Sequence, residues 1–416
     1  MLFGSSGIRQ KFDRNLIDIA VRVGTVVAGN IGDIVLGTDT RTTSCILRDA
    51  FSAGCLSRGA SVKTCGMVPT PVVAYNTRNS EAGCMITASH NPEEYNGIKL
   101  FNPDGSSFTR SQQETLEINL GDLEYNDWLT QGDLTQFDGI TPYKSSILDH
   151  ITLDREIRII LDCGSGAACG ISPELLTGMG VGVISVNCHP SGYFPRPSEP
   201  LAENLPYMSR LIQKTGAKGA VVHDGDADRM MAFDERGRYI DGDHLLMLFA
   251  EYLEAEKIVT TVDASMAVEE IAEVRRTPVG DSFVSEELIG WGEFGGEPSG
   301  AWIFPKHSLC PDGPYAAALF CEVVSQWNIV EILDSMPHYP LLRESERYEN
   351  VREIMTAIGA DNPTDGIRLS SDDGWCLIRA SGTEPKIRFT AEGKTLHEAK
   401  EMLSRGREMV RKGKTA

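Results

Sequence analysis

Three aspartates at alternate positions, in His223-Asp-Gly-Asp-Ala-Asp-Arg229, lie between the apolar runs Gly219–Val222 and Met230–Phe233. On a sharp loop, Asp224, Asp226 and Asp228 can converge on one hard cation and leave octahedral positions for water and a phosphate oxygen, a merely solvated acidic loop being the alternative. An EF-hand would use similar residues, with Glu235 twelfth counting from Asp224. Against it, Arg229 replaces the sharp-turn glycine, and both flanks read as strands rather than helices. Three like charges this close need a counter-ion to be stable.

A second constellation, Thr87-Ala-Ser-His-Asn-Pro-Glu-Glu-Tyr-Asn-Gly-Ile-Lys99, follows the apolar run Gly83–Ile86. Pro92 forces Asn91 out of helical geometry and Gly97 permits a tight turn, so Ser89 and His90 sit on a strand-to-loop corner that exposes a hydroxyl. An isolated Ser-His pair would equally suit an ordinary turn or a helix N-cap. The third loop, Gly295-Gly-Glu-Pro-Ser-Gly300, carries a carboxylate at Glu297 and a hydroxyl at Ser299 on a stiffened turn, a set that suits sugar hydroxyls, although taken alone it reads better as a plain surface turn. The fourth, Arg379-Ala-Ser-Gly-Thr-Glu-Pro-Lys-Ile-Arg388, combines three cations with two hydroxyls and a glycine that opens backbone N–H groups. Arginine forks and a Ser/Thr-Gly nest are what a phosphate dianion requires, with a salt-bridged surface hairpin as the alternative reading.

These loops need a scaffold. Three apolar, β-rich segments each run into a polar turn: Ile34–Asp39, Ile159–Gly164 and Ile258–Asp263. A stretch of helical character follows each one. Their recurrence predicts three related α/β domains with mixed sheets, whose central strands are covered on both faces. Turn residues gather around Asp138–Pro142, Arg236–Gly242 and Pro337–Pro340, which divides the chain into domains at 1–140, 141–240, 241–338 and 339–416. The last reads as a smaller α+β domain, with strands near Asp365–Leu369, Trp375–Arg379 and Ile387–Glu392 and a helix over His397–Arg411.

With 416 residues the chain is too long for one core. Its net charge of −20 argues against nucleic acid or an anionic membrane as partner. An anionic small molecule can still bind, because salt confines charge effects to roughly 8 Å. The chain has no apolar run long enough to span a membrane and no signal-peptide pattern at its start, so a cytoplasmic location is expected. Ten cysteines without CxxC spacing read as reduced, buried small hydrophobes.

Taken in order, and with Phe3-Gly-Ser-Ser-Gly-Ile-Arg9 before them, the four loops resemble those of the α-D-phosphohexomutases, the family of phosphoglucomutases, phosphomannomutases and phosphoglucosamine mutases. The resemblance covers the whole chain, and GGEPSG with SGTEP looks most like archaeal-type phosphoglucosamine mutases. It implies interconversion of hexose 6-phosphate and hexose 1-phosphate, glucosamine phosphate foremost, through a phosphoserine at Ser89 and a hexose 1,6-bisphosphate that also primes the enzyme. One Mg²⁺ would sit on Asp224, Asp226, Asp228 and the Ser89 phosphate, and Arg9 and Arg229 would steady that phosphate. His90 and Lys99 would lie at the transfer site, with Lys99 a candidate for proton transfer. Glu297 and Ser299 would hold the sugar. Arg379, Ser381, Gly382, Thr383, Lys386 and Arg388 would grip the phosphate of this small phosphosugar. Three departures stand out: Ala301 where many relatives have His, Gln10 where Gly is usual, and Ser5 where Thr is common. A Mg²⁺-dependent phosphatase and a non-catalytic sugar-phosphate sensor are the rival readings.

Overall fold

The computed structural model describes residues 2–4, 7–121, 123–360, 366–381 and 384–415. Among them, four sheets follow one another along the chain. The first three share a pattern. The strand Asp33–Thr38 is flanked by parallel neighbours Ser61–Met67 and Ala82–Ile86, and the latter turns back into antiparallel Tyr95–Phe101. In the second sheet Arg158–Asp162 lies between Gly182–Val186 and Gly219–His223, which turns back into Met230–Asp234. In the third, Lys257–Thr261 lies between Glu273–Thr277 and Phe294–Glu297, which turns back into Ala301–Phe304. The faint sequence repeat is therefore a repeat of topology. All three chemistry-bearing loops, at Thr87–Glu94, Asp224–Arg229 and Pro298–Gly300, occupy the same β–β turn of their respective units.

The central strands are apolar because helices cover both faces: Ile34, Val35 and Leu36, like Ile159, Ile160 and Leu161, are almost wholly buried. Helix Arg14–Val27, capped by Asp13 through Leu16 N–H, packs against helix Ser44–Leu56. Their backbones come so close that a Cβ at Gly54 would stand 2.2 Å from the Val21 carbonyl oxygen. After the third central strand the helical stretch shrinks to one tight turn, Met266–Glu270, started by the Ser265 hydroxyl on Ala267 N–H.

The fourth sheet is antiparallel and carries helix Leu396–Thr415 against it. Its strands include Ile367–Ser371, Gly374–Ala380 and Lys386–Gly393; Asp365 lies outside the described residues. A further strand, Leu341–Arg347, is absent from the sequence reading because this edge is mostly exposed and charged and so lacks apolar alternation. One apolar cluster runs from Val35 to Met336 through the first three units, whereas Ile354 to Val410 form a cluster of their own. All ten cysteines are free thiols. Six are buried as expected, Cys65, Cys169 and Cys188 are half-buried, and Cys45 is exposed. No single helix among the described residues is long and apolar enough to cross a membrane.

Candidate active site

Ser89 is buried, and its backbone is left-handed at φ 48°. Such strain in a non-glycine residue persists only where the surroundings over-determine it. Here its N–H donates to Thr87 Oγ1 at 2.9 Å, and its carbonyl accepts from Arg41 Nη2 at 2.8 Å. The hydroxyl is thereby turned toward the aspartate loop, donating to Asp224 Oδ2 at 2.9 Å and lying 3.5 Å from Asp228 Oδ1. The two loops meet through Gly225, where any Cβ would stand 2.6 Å from the Ser89 carbonyl oxygen. His90 Nδ1 is 3.5 Å from Ser89 Oγ. Burial, with help from Arg229 and Arg9, pushes its pKa down to about 2 and keeps the imidazole neutral.

Asp224, Asp226 and Asp228 are all buried, and one oxygen from each lies within 4.8 Å of the others. Asp226 Oδ2 is occupied by Thr70 Oγ1 at 2.6 Å and Lys99 Nζ at 3.0 Å. Its Oδ1 is buried with no hydrogen-bond partner, a costly state for a carboxylate unless a cation completes it. The donor set is all oxygen, which suits Mg²⁺ rather than a soft metal. Lys99 also bonds Asp228. Burial works against its charge, but those two carboxylates outweigh it and hold the ammonium above its ordinary pKa. Arg229 lies 3.2 Å from Glu199, and its field reaches Asp224 and Asp228.

The turn bearing Glu297 and Ser299 is tied to the metal loop: Met230 N–H donates to the Gly300 carbonyl at 2.9 Å, and Trp302 Nε1 to the Met230 carbonyl at 2.7 Å. Glu297 is buried, and the Ser299 hydroxyl is buried without a partner. Burial first, then the neighbouring Asp281 charge, pushes the Glu297 carboxyl up to about 8. Pro298 from this turn lines a cavity of about 700 Å³ together with Arg379, Lys386 and Arg388. In the fourth loop Arg379 pairs with Arg388 across the hairpin, Arg388 Nη2 donates to Ser381 Oγ at 3.4 Å, and Lys386 is bonded to Glu384. Gly382 and Thr383 lie outside the described residues.

The structure thus brings Ser89, His90, Lys99 and the three aspartates together, with Arg9 and Arg229 close enough to act on His90. Pro298, which stands between Glu297 and Ser299, and the cationic loop border the adjoining space. Sequence reasoning missed Asp39, Arg41, Asp162 and Arg196. Asp39 receives Arg41 Nε at 3.0 Å, while Asp162 receives Arg196 Nη2 at 3.3 Å, and that same nitrogen reaches the His223 carbonyl at 2.7 Å. Each acid closes the central strand of its unit. Its position at the end of a repeated apolar segment was the available signal.

Models of the phosphoglucomutase/phosphomannomutase family match the chain in order: alpha/beta/alpha domain I over residues 1–126, domain II over 139–237, domain III over 241–339 and the C-terminal domain over 341–408. A probable phosphoglucosamine mutase of Methanocella arvoryzae is 42% identical, across 99% of this chain and 98% of its own. The phosphoglucosamine mutase of Methanocaldococcus jannaschii is 41% identical, across 100% and 99%. Among solved structures, a phosphoglucomutase/phosphomannomutase family protein from Burkholderia thailandensis superposes with a TM-score of 0.88 at 24% identity, covering 99% of this chain and 97% of the other. An N-acetylphosphoglucosamine mutase of Aspergillus fumigatus, in complex with GlcNAc-6P and magnesium, gives 0.58 at 16% identity, covering 99% and 96%.

Proposed function

Since the chain belongs to the phosphoglucomutase/phosphomannomutase family, we propose that it interconverts glucosamine 6-phosphate and glucosamine 1-phosphate through a phosphoryl group carried on Ser89. The observation that carries this reading is the Ser89 hydroxyl set 2.9 Å from Asp224, beside the orphaned Asp226 oxygen. The names of the archaeal relatives support the sugar.

The oxygen ligands fit Mg²⁺, which Asp224, Asp226 and Asp228 would hold beside the Ser89 phosphate. When bound, the ion neutralises charge on the phosphoryl oxygens. This chain's own residues do the rest. Arg9 and Arg229 steady the phosphoryl group, and the strained Ser89 backbone aims it at the sugar. A sugar hydroxyl attacks phosphorus, the P–O bond to Ser89 breaks, and hexose 1,6-bisphosphate forms. The proton lost by the hydroxyl must be balanced by one gained at Ser89 Oγ. Lys99, linked to Ser89 through Asp228, is placed to help that exchange. Glu297 and Ser299 hold the ring hydroxyls, while Arg379, Ser381, Gly382, Thr383, Lys386 and Arg388 hold the phosphate that is not being transferred. After the bisphosphate turns, its other phosphoryl group returns to Ser89. Four domains, 1–140, 141–240, 241–338 and 339–416, supply one loop each.

A one-way phosphatase would leave the cationic loop across the cavity without a task. Turnover of glucosamine, glucose and mannose phosphates by the purified, phosphorylated enzyme tests the assignment. A clear preference for mannose 1-phosphate in kcat/KM would replace glucosamine.

A further inference from the structure

Asp281 opens helix Asp281–Gly290, immediately after Gly280 at φ 147°. In the parallel ladders Thr261 pairs with Thr277, and Thr260 with Gly296. Asp263, Asp281 and Glu297 therefore leave three adjacent strands at one carboxyl edge, where ligands of open α/β sheets bind. Asp281 is only 8% exposed, and its carboxylate has no hydrogen bond or ion pair among the described residues. Nor does the Glu297 carboxylate, at 7% exposure. Two mostly buried carboxylates leave one strand edge close enough for the Asp281 charge to act on Glu297, and like charges so placed repel. Lys99 is near enough to feel Asp281, but its ammonium is committed to Asp226 and Asp228.

The adjoining cavity is lined by charges of both signs, Asp243, Asp263 and Glu344 with Arg343, Arg379, Lys386 and Arg388. A ligand suited to both signs carries a phosphate dianion and a cationic group. Glucose and mannose phosphates have the first alone; an amino-hexose phosphate has both.

We propose that Asp281, beside Glu297, forms the subsite that binds the 2-ammonium group of an amino-hexose phosphate and so sets the enzyme's sugar selectivity. This rests on the glucosamine reading above, since Asp281 has no cation to receive from a neutral sugar.

Asp281→Asn keeps the size and removes the charge. The ratio of kcat/KM for glucosamine 1-phosphate to that for glucose 1-phosphate should fall about 10- to 100-fold, as expected from losing one charge-assisted contact. Without ligand, the variant should melt at or above the wild-type temperature, because a repulsion has been relieved. A folded variant with an unchanged ratio, or equal losses on both sugars, overturns the subsite and leaves the mutase assignment standing. Equal losses rescued by raised Mg²⁺ would also overturn it, by giving the carboxylate to the metal. If the wild-type enzyme turns over glucose 1-phosphate but not glucosamine 1-phosphate, the substrate reading fails, and the subsite with it. Should Asp281→Asn not fold, Asp281→Glu supplies the test. It retains charge but moves it by one methylene, and is expected to lower the same ratio less than tenfold; a ratio equal to that of wild type would overturn the proposal.

Discussion

Arg41 Nε lies 3.0 Å from Asp39 Oδ2, with both side chains sealed from solvent, and the same guanidinium reaches the carbonyls of Ser89, Asn91 and Tyr95. One fork thus ties the end of a central strand to the backbone of the serine loop. Arg41→Ala leaves Asp39 buried without its cation, which costs about 3–5 kcal/mol of stability. Arg41→Lys cannot reproduce the fork and should also lose activity. Denaturant unfolding paired with turnover checks both: kcat should drop at least tenfold in Arg41→Lys, with phosphosugar affinity nearly unchanged.

Ser89→Ala should abolish phosphorylation at that position and lower turnover by about a thousandfold or more, since among the described residues the Ser89 hydroxyl is the one that donates to Asp224. Peptide mass spectrometry of active wild-type enzyme should find phosphate on Ser89. Full turnover by the variant would remove Ser89 from the mechanism.

Chelation should stop turnover and Mg²⁺ restore it. Because an ion that binds the folded state alone stabilises it by mass action, Mg²⁺ should also raise the melting temperature of the wild type. In Asp226→Asn that shift should shrink strongly, as read by calorimetry. An undiminished shift would place the ion elsewhere.

Burial, reinforced by Asp241, Glu392 and Asp263, pushes the half-buried Asp243 up to about 7. A carboxylate whose folded pKa exceeds its unfolded value stabilises the fold only while protonated. Its contribution is therefore lost as pH rises from about 4 to about 7. Asp243→Asn keeps the acceptor for Ser265 N–H and removes this loss. Relative to wild type, the ligand-free variant should gain roughly 1–3 kcal/mol across that interval and nothing further above it. Urea melts at pH 5, 7 and 8.5 decide the matter.

Arg379→Ala should raise KM by about 10- to 150-fold, the equivalent of 1.5–3 kcal/mol for a charge-assisted phosphate contact. Phosphorylation of Ser89 by added bisphosphate should survive better than full turnover. Unchanged hexose phosphate affinity in titration calorimetry would give the grip to another segment.

The alternating aspartates and the Ser-His corner were readable because their chemistry is local: neighbours along the chain are neighbours in space. The repeat was readable only faintly, since apolar strands look alike until their partners are known. Asp39, Arg41, Asp162 and Arg196 were not readable as a group, because each serves a loop far from it in sequence; Arg41 reaches 48 residues to the Ser89 carbonyl. Asp281 was invisible for a related reason. Its register beside Glu297 exists only once two strands have paired with a third. The edge strand Leu341–Arg347 was obscured by its own solvent-facing charges.

The separate apolar cluster of Ile354 to Val410 also governs how the protein is made. During synthesis, the cluster that runs to Met336 can close before the final segment leaves the ribosome, because it borrows no side chain from that segment. The late piece then docks through polar links, with Met266 N–H on Glu392 at 2.8 Å and Arg368 on the Val262 carbonyl at 2.8 Å. A nascent chain stalled near Pro340 would already hold its serine and aspartate loops, in a body able to fold yet lacking the cationic loop of Arg379, Lys386 and Arg388.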